Sequence, residues 1–179
     1  MTGAGPAPEP AGCDHTSVGV LIFSPGGLLV FERATPPVGI APVAGHVDQH
    51  GGPARAARAE AIEEVGLKIT GMRLVHTGWR PNRCRRPPAG ESGHRWWIYQ
   101  AQAAGSLSPS AREVRTPRWI DAGQLRQYAQ RTAAHAQGHF SAEEFARQPG
   151  LEPVWVRFLH DLHFVTVDSG ALERIERII

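Results

Sequence analysis

Two short apolar runs near the start of the chain, residues 17–23 and 28–32, flank Ser24, Pro25, Gly26 and Gly27. Runs of this length bounded by turn residues predict a β-hairpin. After a Pro-rich stretch over 35–43, the period changes to that of a helix over Pro53–Val65, with Pro at the first helical position and Gly66 just past the end. Strands are predicted at 68–79, 95–103 and 114–120, with a long arginine-bearing loop over 80–94 between the first two. From residue 121 onward the pattern is helical: 122–135, then 141–147 with Ser141 and Glu144 spaced as a capping box. A further helix opens at Pro153, where Val154, Trp155, Phe158, Leu159 and Leu162 form one apolar stripe. Strands, one helix, more strands and then helices predict an α/β (α+β) fold, a mixed sheet with helices packed on its faces. Residues 1–14, rich in Pro, Gly and Ala without a period, are expected to be a disordered leader.

Length and composition narrow the class. At 179 residues and 19.4 kDa the chain fits one domain with a sizeable core. No apolar stretch approaches the roughly 20 residues that a membrane span needs. Residues 1–12 hold no basic residue and no apolar block, so no secretory signal is expected and the cytoplasm is the expected location. Cys13 and Cys84 are expected as thiols. A net charge of +2 singles out neither nucleic acid nor membrane. Arg80, Arg83, Arg85 and Arg86 have no aromatic residues among them, and an RNA-binding reading is set aside on that ground. Lys68 is the only lysine, so nearly all positive charge is arginine, whose planar fork matches phosphate and carboxylate oxygens.

The most informative segment is the helix at Pro53–Val65 and the loop before it. Residues three and four apart share a helix face, which brings Glu60 beside Glu63 and Glu64. Ala57, Ala61 and Val65 form an adjoining apolar strip that can pack on a sheet, with the acids at its edge. An acidic face is commonly just solvated, yet like charges at this spacing repel, and a cation would resolve the conflict. Oxygen-only ligands on one rigid helix suit a hard divalent ion such as Mg²⁺ or Mn²⁺.

Gly45, Glu60, Glu63, Glu64, Gly66 and Leu67 stand in the register of the Nudix hydrolase signature, which this segment resembles: G, five residues, E, seven residues, R-E, an apolar residue, any residue, E-E, any residue, G, apolar. The strand over 28–33, the approach from Pro42 to His46 and the triplet Arg118, Trp119, Ile120 also look like their family counterparts. The resemblance covers residues 16–130. Two positions depart from the signature: Gly51 stands in place of the first glutamate and Ala59 in place of the arginine before Glu60. Arg58 is one position away but about 100° around the helix, a poor substitute.

The resemblance implies a Nudix-type α/β/α sandwich over residues 15–130; beyond it, the helical pattern over 131–179 is expected to form a C-terminal extension packed on the domain or on a partner subunit. It implies Mg²⁺-dependent (or Mn²⁺-dependent) hydrolysis of a pyrophosphate bond in a nucleotide, or in a nucleoside diphosphate linked to another group. Metal ligands would be Glu60 and Glu64, Glu63 as a supplement, and the backbone carbonyl of Ala44. Candidates for the base are Glu63, Glu113 and Glu91, in that order. Arg33 and Arg95 are candidate phosphate contacts. Of the neighbours Trp96 and Trp97, which alternation sends to opposite faces, Trp97 is assigned to the substrate. His46 and His50 flank the metal loop, with His46 the candidate phosphate contact. The alternative is a catalytically weak or inactive Nudix-fold sensor or partner-binding module, favoured by Gly51 and Ala59.

Two further features stand outside the resemblance. Cys13, His15, Cys84 and His94 can be assembled on paper into a zinc site, but the close pair spacing of structural zinc sites is missing. The last helical stretch, 171–179, places Leu172, Ile175, Ile178 and Ile179 near one side. Such a patch needs cover from the chain's own body or from a second subunit, and a homodimer is expected.

Overall fold

β1 (Thr16–Ser24) and β2 (Gly27–Arg33) form the expected hairpin, but only Phe23 with Leu28 and Ser24 with Gly27 are paired. Beyond those two rungs the strands part. Along the same edge, β1 then pairs antiparallel with β4 (Val43–His46), and along its other edge it runs parallel to β6 (Gly93–Ala104), with Thr16 opposite Arg95 and Ile22 opposite Ala101. β6 in turn pairs with the long β5 (Lys68–Pro81). β2 continues into a second small sheet between β3 (Ile40–Ala41) and β7 (Val114–Ile120). This computed structural model describes residues 12–48, 50–82, 84 and 93–179.

Alternation along β1 explains the layers. Val18, Val20 and Ile22 point to one face, where they join Leu29 and Phe31 of β2 and the buried Ala56, Ala57, Ala61 and Val65 of helix α1 (Pro53–Val65). Leu21 points to the other face, together with Leu28, Val30 and Ile98, and meets Trp155, Phe158 and Leu159 of α4 (Pro153–Asp161). Gly19 lies on that second face because nothing larger fits: a Cβ there would come within 2.4 Å of the Trp155 ring and 2.8 Å of Ile98. The sheet is thus covered by α1 on one side and by the later helices on the other, the α/β/α arrangement that was expected.

α2 (Ala122–Ala136) starts at a capping box of Asp121 and Gln124, and α3 (Ala142–Arg147) at the anticipated box of Ser141 and Glu144. The stripe of α5 (Ser169–Arg177) is covered within the chain: Leu172 and Ile175 are buried in the core shared with α2 and α4. Of the four apolar residues that needed cover, Leu172 and Ile175 thus find it within the chain, whereas Ile178 stays exposed. At the end of the expected leader, Cys13 is buried and Asp14 accepts hydrogen bonds from the Thr16 backbone N–H and hydroxyl.

No helix among the described residues is long and apolar enough to cross a membrane.

Candidate functional site

The carboxylate site is built where β4 meets α1. Gly66, in the left-handed region at φ 74°, ends α1, with the Gly66 and Leu67 N–H groups donating to the Ile62 and Ala61 carbonyls. α1 has Pro at its start and small alanines on its buried face, so it lies close on the sheet and carries its acids to the strand ends. Glu64 is 6% exposed and its Oε2 accepts the Ala44 backbone N–H at 3.0 Å. Glu60 lies against Gly45 so tightly that a Cβ there would sit 1.8 Å from Glu60 Oε1. The glycine that anchors the loop is thus the space that holds the Glu60 carboxylate.

Pairing of Arg33 with Val114 across β2 and β7 brings Glu113 to the same place, and the Glu113 carbonyl accepts the Ala34 N–H at 2.9 Å. Phe31, Arg33, Ala44, Glu60, Glu64 and Glu113 share a cleft of about 160 Å³. Three acids and one arginine thus face one another in this cleft. Burial pushes the Glu64 carboxyl well above its usual range, with the charges of Glu60 and Glu113 adding to it, while the Ala44 N–H and Arg33 pull partly back.

An adjoining cleft of about 240 Å³ shares Arg33, Ala44, Gly45 and His46 and adds Asn82, Cys84, His94, Trp96 and Glu152. Arg33 bridges the two, its guanidinium 3.4 Å from Glu152 Oε2. Glu152, at the start of α4, is buried, and burial raises its pKa against the opposing pull of Arg33. A larger groove of about 830 Å³ along β5 and β6 is lined by no carboxylate, histidine or cysteine, so volume alone does not mark the chemistry.

The sequence-based candidates divide accordingly. Ala44, Glu60, Glu64, Glu113, Arg33 and His46 are brought together. Glu63 is exposed on α1 and lines neither cleft. Arg95 is exposed, with its guanidinium 5.6 Å from the Trp97 ring centre, and Trp97 packs with the α1-side core. The indole at the cleft is that of Trp96; the alternation was read correctly, its phase was not. Glu91 lies outside the described residues, as do Arg83, Arg85 and Arg86, whereas Arg80 is ion-paired with Asp161 of α4. Arg58 donates to the Ile69 carbonyl at 2.9 Å, so it serves the α1–β5 contact and not the position vacated by Ala59. Gly51 has φ 78°, and a Cβ there would lie 3.1 Å from the Arg55 guanidinium. Glu152 and Asn82 were not anticipated, since nothing local in the sequence signals their approach to Arg33 and His94.

The NUDIX domain family model matches residues 14–143. In fold the chain is similar to the E. coli dihydroneopterin triphosphate pyrophosphohydrolase, with 19% identity over 64% of this chain and 85% of that one and a TM-score of 0.54. It is also similar to a NUDIX-family hydrolase from Clostridium perfringens, with 16% identity over 92% of this chain and 98% of that one and a TM-score of 0.54. The latter likeness extends into the helices that follow the matched domain. No curated protein matches the sequence.

Proposed function

We propose, from the premise that the chain belongs to the Nudix family of pyrophosphohydrolases, that it hydrolyses the pyrophosphate bond of a nucleotide, or of a nucleoside diphosphate linked to another group. The observation that carries this reading is the convergence of Glu60, Glu64 and Glu113 with Arg33 on one cleft. The donor set fits Mg²⁺ or Mn²⁺: hard carboxyl oxygens crowded on one cleft, with the Glu60 carboxylate seated in the space that Gly45 leaves. Glu60, Glu64 and the Ala44 carbonyl would hold the cation, and Glu63, which faces solvent, would take at most an outer part. When bound, the cation supplies charge neutralisation on the diphosphate and activation of the attacking water.

The chain's own residues do the rest. Arg33, held by Glu152, presents its fork to phosphate oxygens. Glu113, which lines the cleft where Glu63 does not, would take the proton as water oxygen bonds to phosphorus and the bridging P–O bond breaks, the phosphate or pyrophosphate on the far side of that bond leaving with its electron pair. Glu64 accepts the Ala44 N–H and so keeps the loop on α1. Trp96 walls the cleft on the side where the rest of the substrate would extend. A cytoplasmic location belongs to this reading, in keeping with a nucleotide substrate.

The test is a panel of nucleoside triphosphates, sugar nucleotides and dinucleotides, with Mg²⁺ and with Mn²⁺, assayed for release of phosphate, pyrophosphate or nucleoside monophosphate. Release that Glu64→Gln abolishes while the fold is kept supports the proposal. Ligand binding without release from any member would replace it with the sensor reading that Gly51 and Ala59 favour.

A further inference from the structure

Four side chains from four separate stretches converge beside the carboxylate cleft: Cys13 ahead of β1, His46 at the end of β4, Cys84 after β5 and His94 at the start of β6. Their ligand atoms all lie within 4.8 Å of one another. Cys13 Sγ is 3.2 Å from His94 Nε2, and Cys84 Sγ is 3.6 Å from His46 Nε2. Sulfur and nitrogen atoms around a tetrahedral zinc ion stand about 3.3 to 3.8 Å apart. The cluster needs only a small contraction to close on one.

A second observation concerns how His94 is held. Its Nδ1 lies 2.8 Å from Asn82 Oδ1, and the same oxygen receives the Trp96 indole N–H at 3.3 Å. An indole nitrogen only donates, so the atom facing both rings is the amide oxygen. His94 Nδ1 therefore carries the proton, and Nε2 turns a lone pair toward Cys13. A histidine whose remote N–H is fixed by an acceptor while its other nitrogen faces a thiol is arranged as a metal ligand. The His15 backbone N–H donates to Cys13 Sγ at 3.3 Å, which fixes where the sulfur points. Cys13 and His94 are buried, and His46 and Cys84 are half-buried.

We infer that Cys13, His46, Cys84 and His94 form a Cys₂His₂ site for a structural zinc ion, separate from the oxygen-ligand site of Glu60 and Glu64. Four protein ligands close the coordination sphere, which is the mark of a structural rather than a catalytic zinc. Soft sulfur and imidazole on one side and carboxylates on the other sort the two kinds of cation by ligand type. The ion ties the connection between β5 and β6 to the N-terminal approach and to β4, and so fixes one wall of the cleft lined by Arg33 and Trp96. His46 then serves the zinc, not the substrate. Sequence spacing hid the site because its ligands are brought together by the sheet: Cys13 and His94 meet through the parallel β1–β6 pair, and His46 takes the place that a sequence reading gives to His15.

The test uses the full chain, purified without a histidine tag and without added chelator. Elemental analysis is expected to find about one zinc per chain. Replacement by Co²⁺ is expected to give the intense visible bands of tetrahedral coordination and a near-ultraviolet thiolate-to-cobalt band. Cys84→Ser should remove the thiolate band in large part, and Asn82→Ala should weaken zinc binding by about 10 to 100-fold. Glu64→Gln should leave the zinc content unchanged. Cys84 is half-buried, so its variant is informative even if Cys13→Ser fails to fold. Absence of both bound zinc and the cobalt spectrum overturns the inference. A Cys13–Cys84 disulfide found by mass, or zinc lost in Glu64→Gln but kept in Cys84→Ser, overturns it equally.

Discussion

Replacing Gly45 with alanine separates the site from the fold. An alanine Cβ would lie 1.8 Å from Glu60 Oε1, 2.0 Å from Cδ and 2.5 Å from Oε2. Non-bonded carbon and oxygen need about 3.4 Å, so the carboxylate must retreat by about 1.5 Å. What moves is the end of a flexible, half-buried side chain, and Gly45 has no positive φ that alanine would strain. The cost to folding should stay within about 1 kcal/mol, a melting shift of no more than about 2 to 4 °C for a chain of this size. The cost to the site should be far larger, because a misplacement of about 1 Å at a reacting centre can lose on the order of 100-fold. Mn²⁺ titration followed by electron paramagnetic resonance reads the ligand loss without a known substrate, and turnover on whichever compound the panel identifies reads the rest. Mn²⁺ affinity and turnover both unchanged, in a protein of normal melting temperature, would refute the assignment of Glu60 and the role of Gly45 as its seat.

Gly19→Ala should destabilise the fold by about 1 to 3 kcal/mol or more, since Trp155 and Ile98 are both fully buried and cannot step aside; chemical denaturation measures it, and a neutral result would contradict the close approach of α4. Truncation after Val167 should lower the melting temperature and raise binding of a hydrophobic dye, because it uncovers the faces of α2 and α4 that Leu172 and Ile175 fill; a truncated protein that melts like the full chain removes the claim. Glu152 binds its proton more tightly folded than unfolded, so its contribution to stability is fullest below about pH 4.3, the unfolded carboxyl's value, and is lost as pH rises through the raised folded value. Glu152→Gln should therefore flatten the fall in stability with rising pH, as urea midpoints across that range would show; parallel profiles for the two proteins would count against the burial argument. Gly51→Glu should cost about 1 kcal/mol through its left-handed backbone and is not expected to raise turnover, because Arg55 already occupies the approach; a rate gain measured on the identified substrate would show otherwise.

Local sequence carries what local physics decides. The limits of α1, the acids on its face, the hairpin turn and the box at Ser141 follow from spacings of three or four residues. The placement of Ala44, Glu60 and Glu64 together came from the signature, whose spacing encodes one loop and one helix. Contacts between distant segments were legible only in part. Alternation predicts that Trp96 and Trp97 face opposite ways, but which of them faces the cleft depends on which side of β6 α1 covers. Glu152 reaches Arg33 only because α4 packs on the sheet, with Ile40 bridging to Leu151. Cys13 reads as part of a proline-rich leader until β6 brings His94 to it.

The parallel pair at the centre of the sheet has a consequence for how the chain is made. β1 precedes its partner β6 in the chain, and β6 is synthesised only after the hairpin, the loop, α1 and β5. Non-local pairing of this kind slows folding, and an unpaired apolar strand edge invites association with other chains. The edge from Val18 to Ile22 is in that state until Ala101 has left the ribosome. Fragments that end before β6 should therefore aggregate, and nascent chains of that length are where a chaperone would bind.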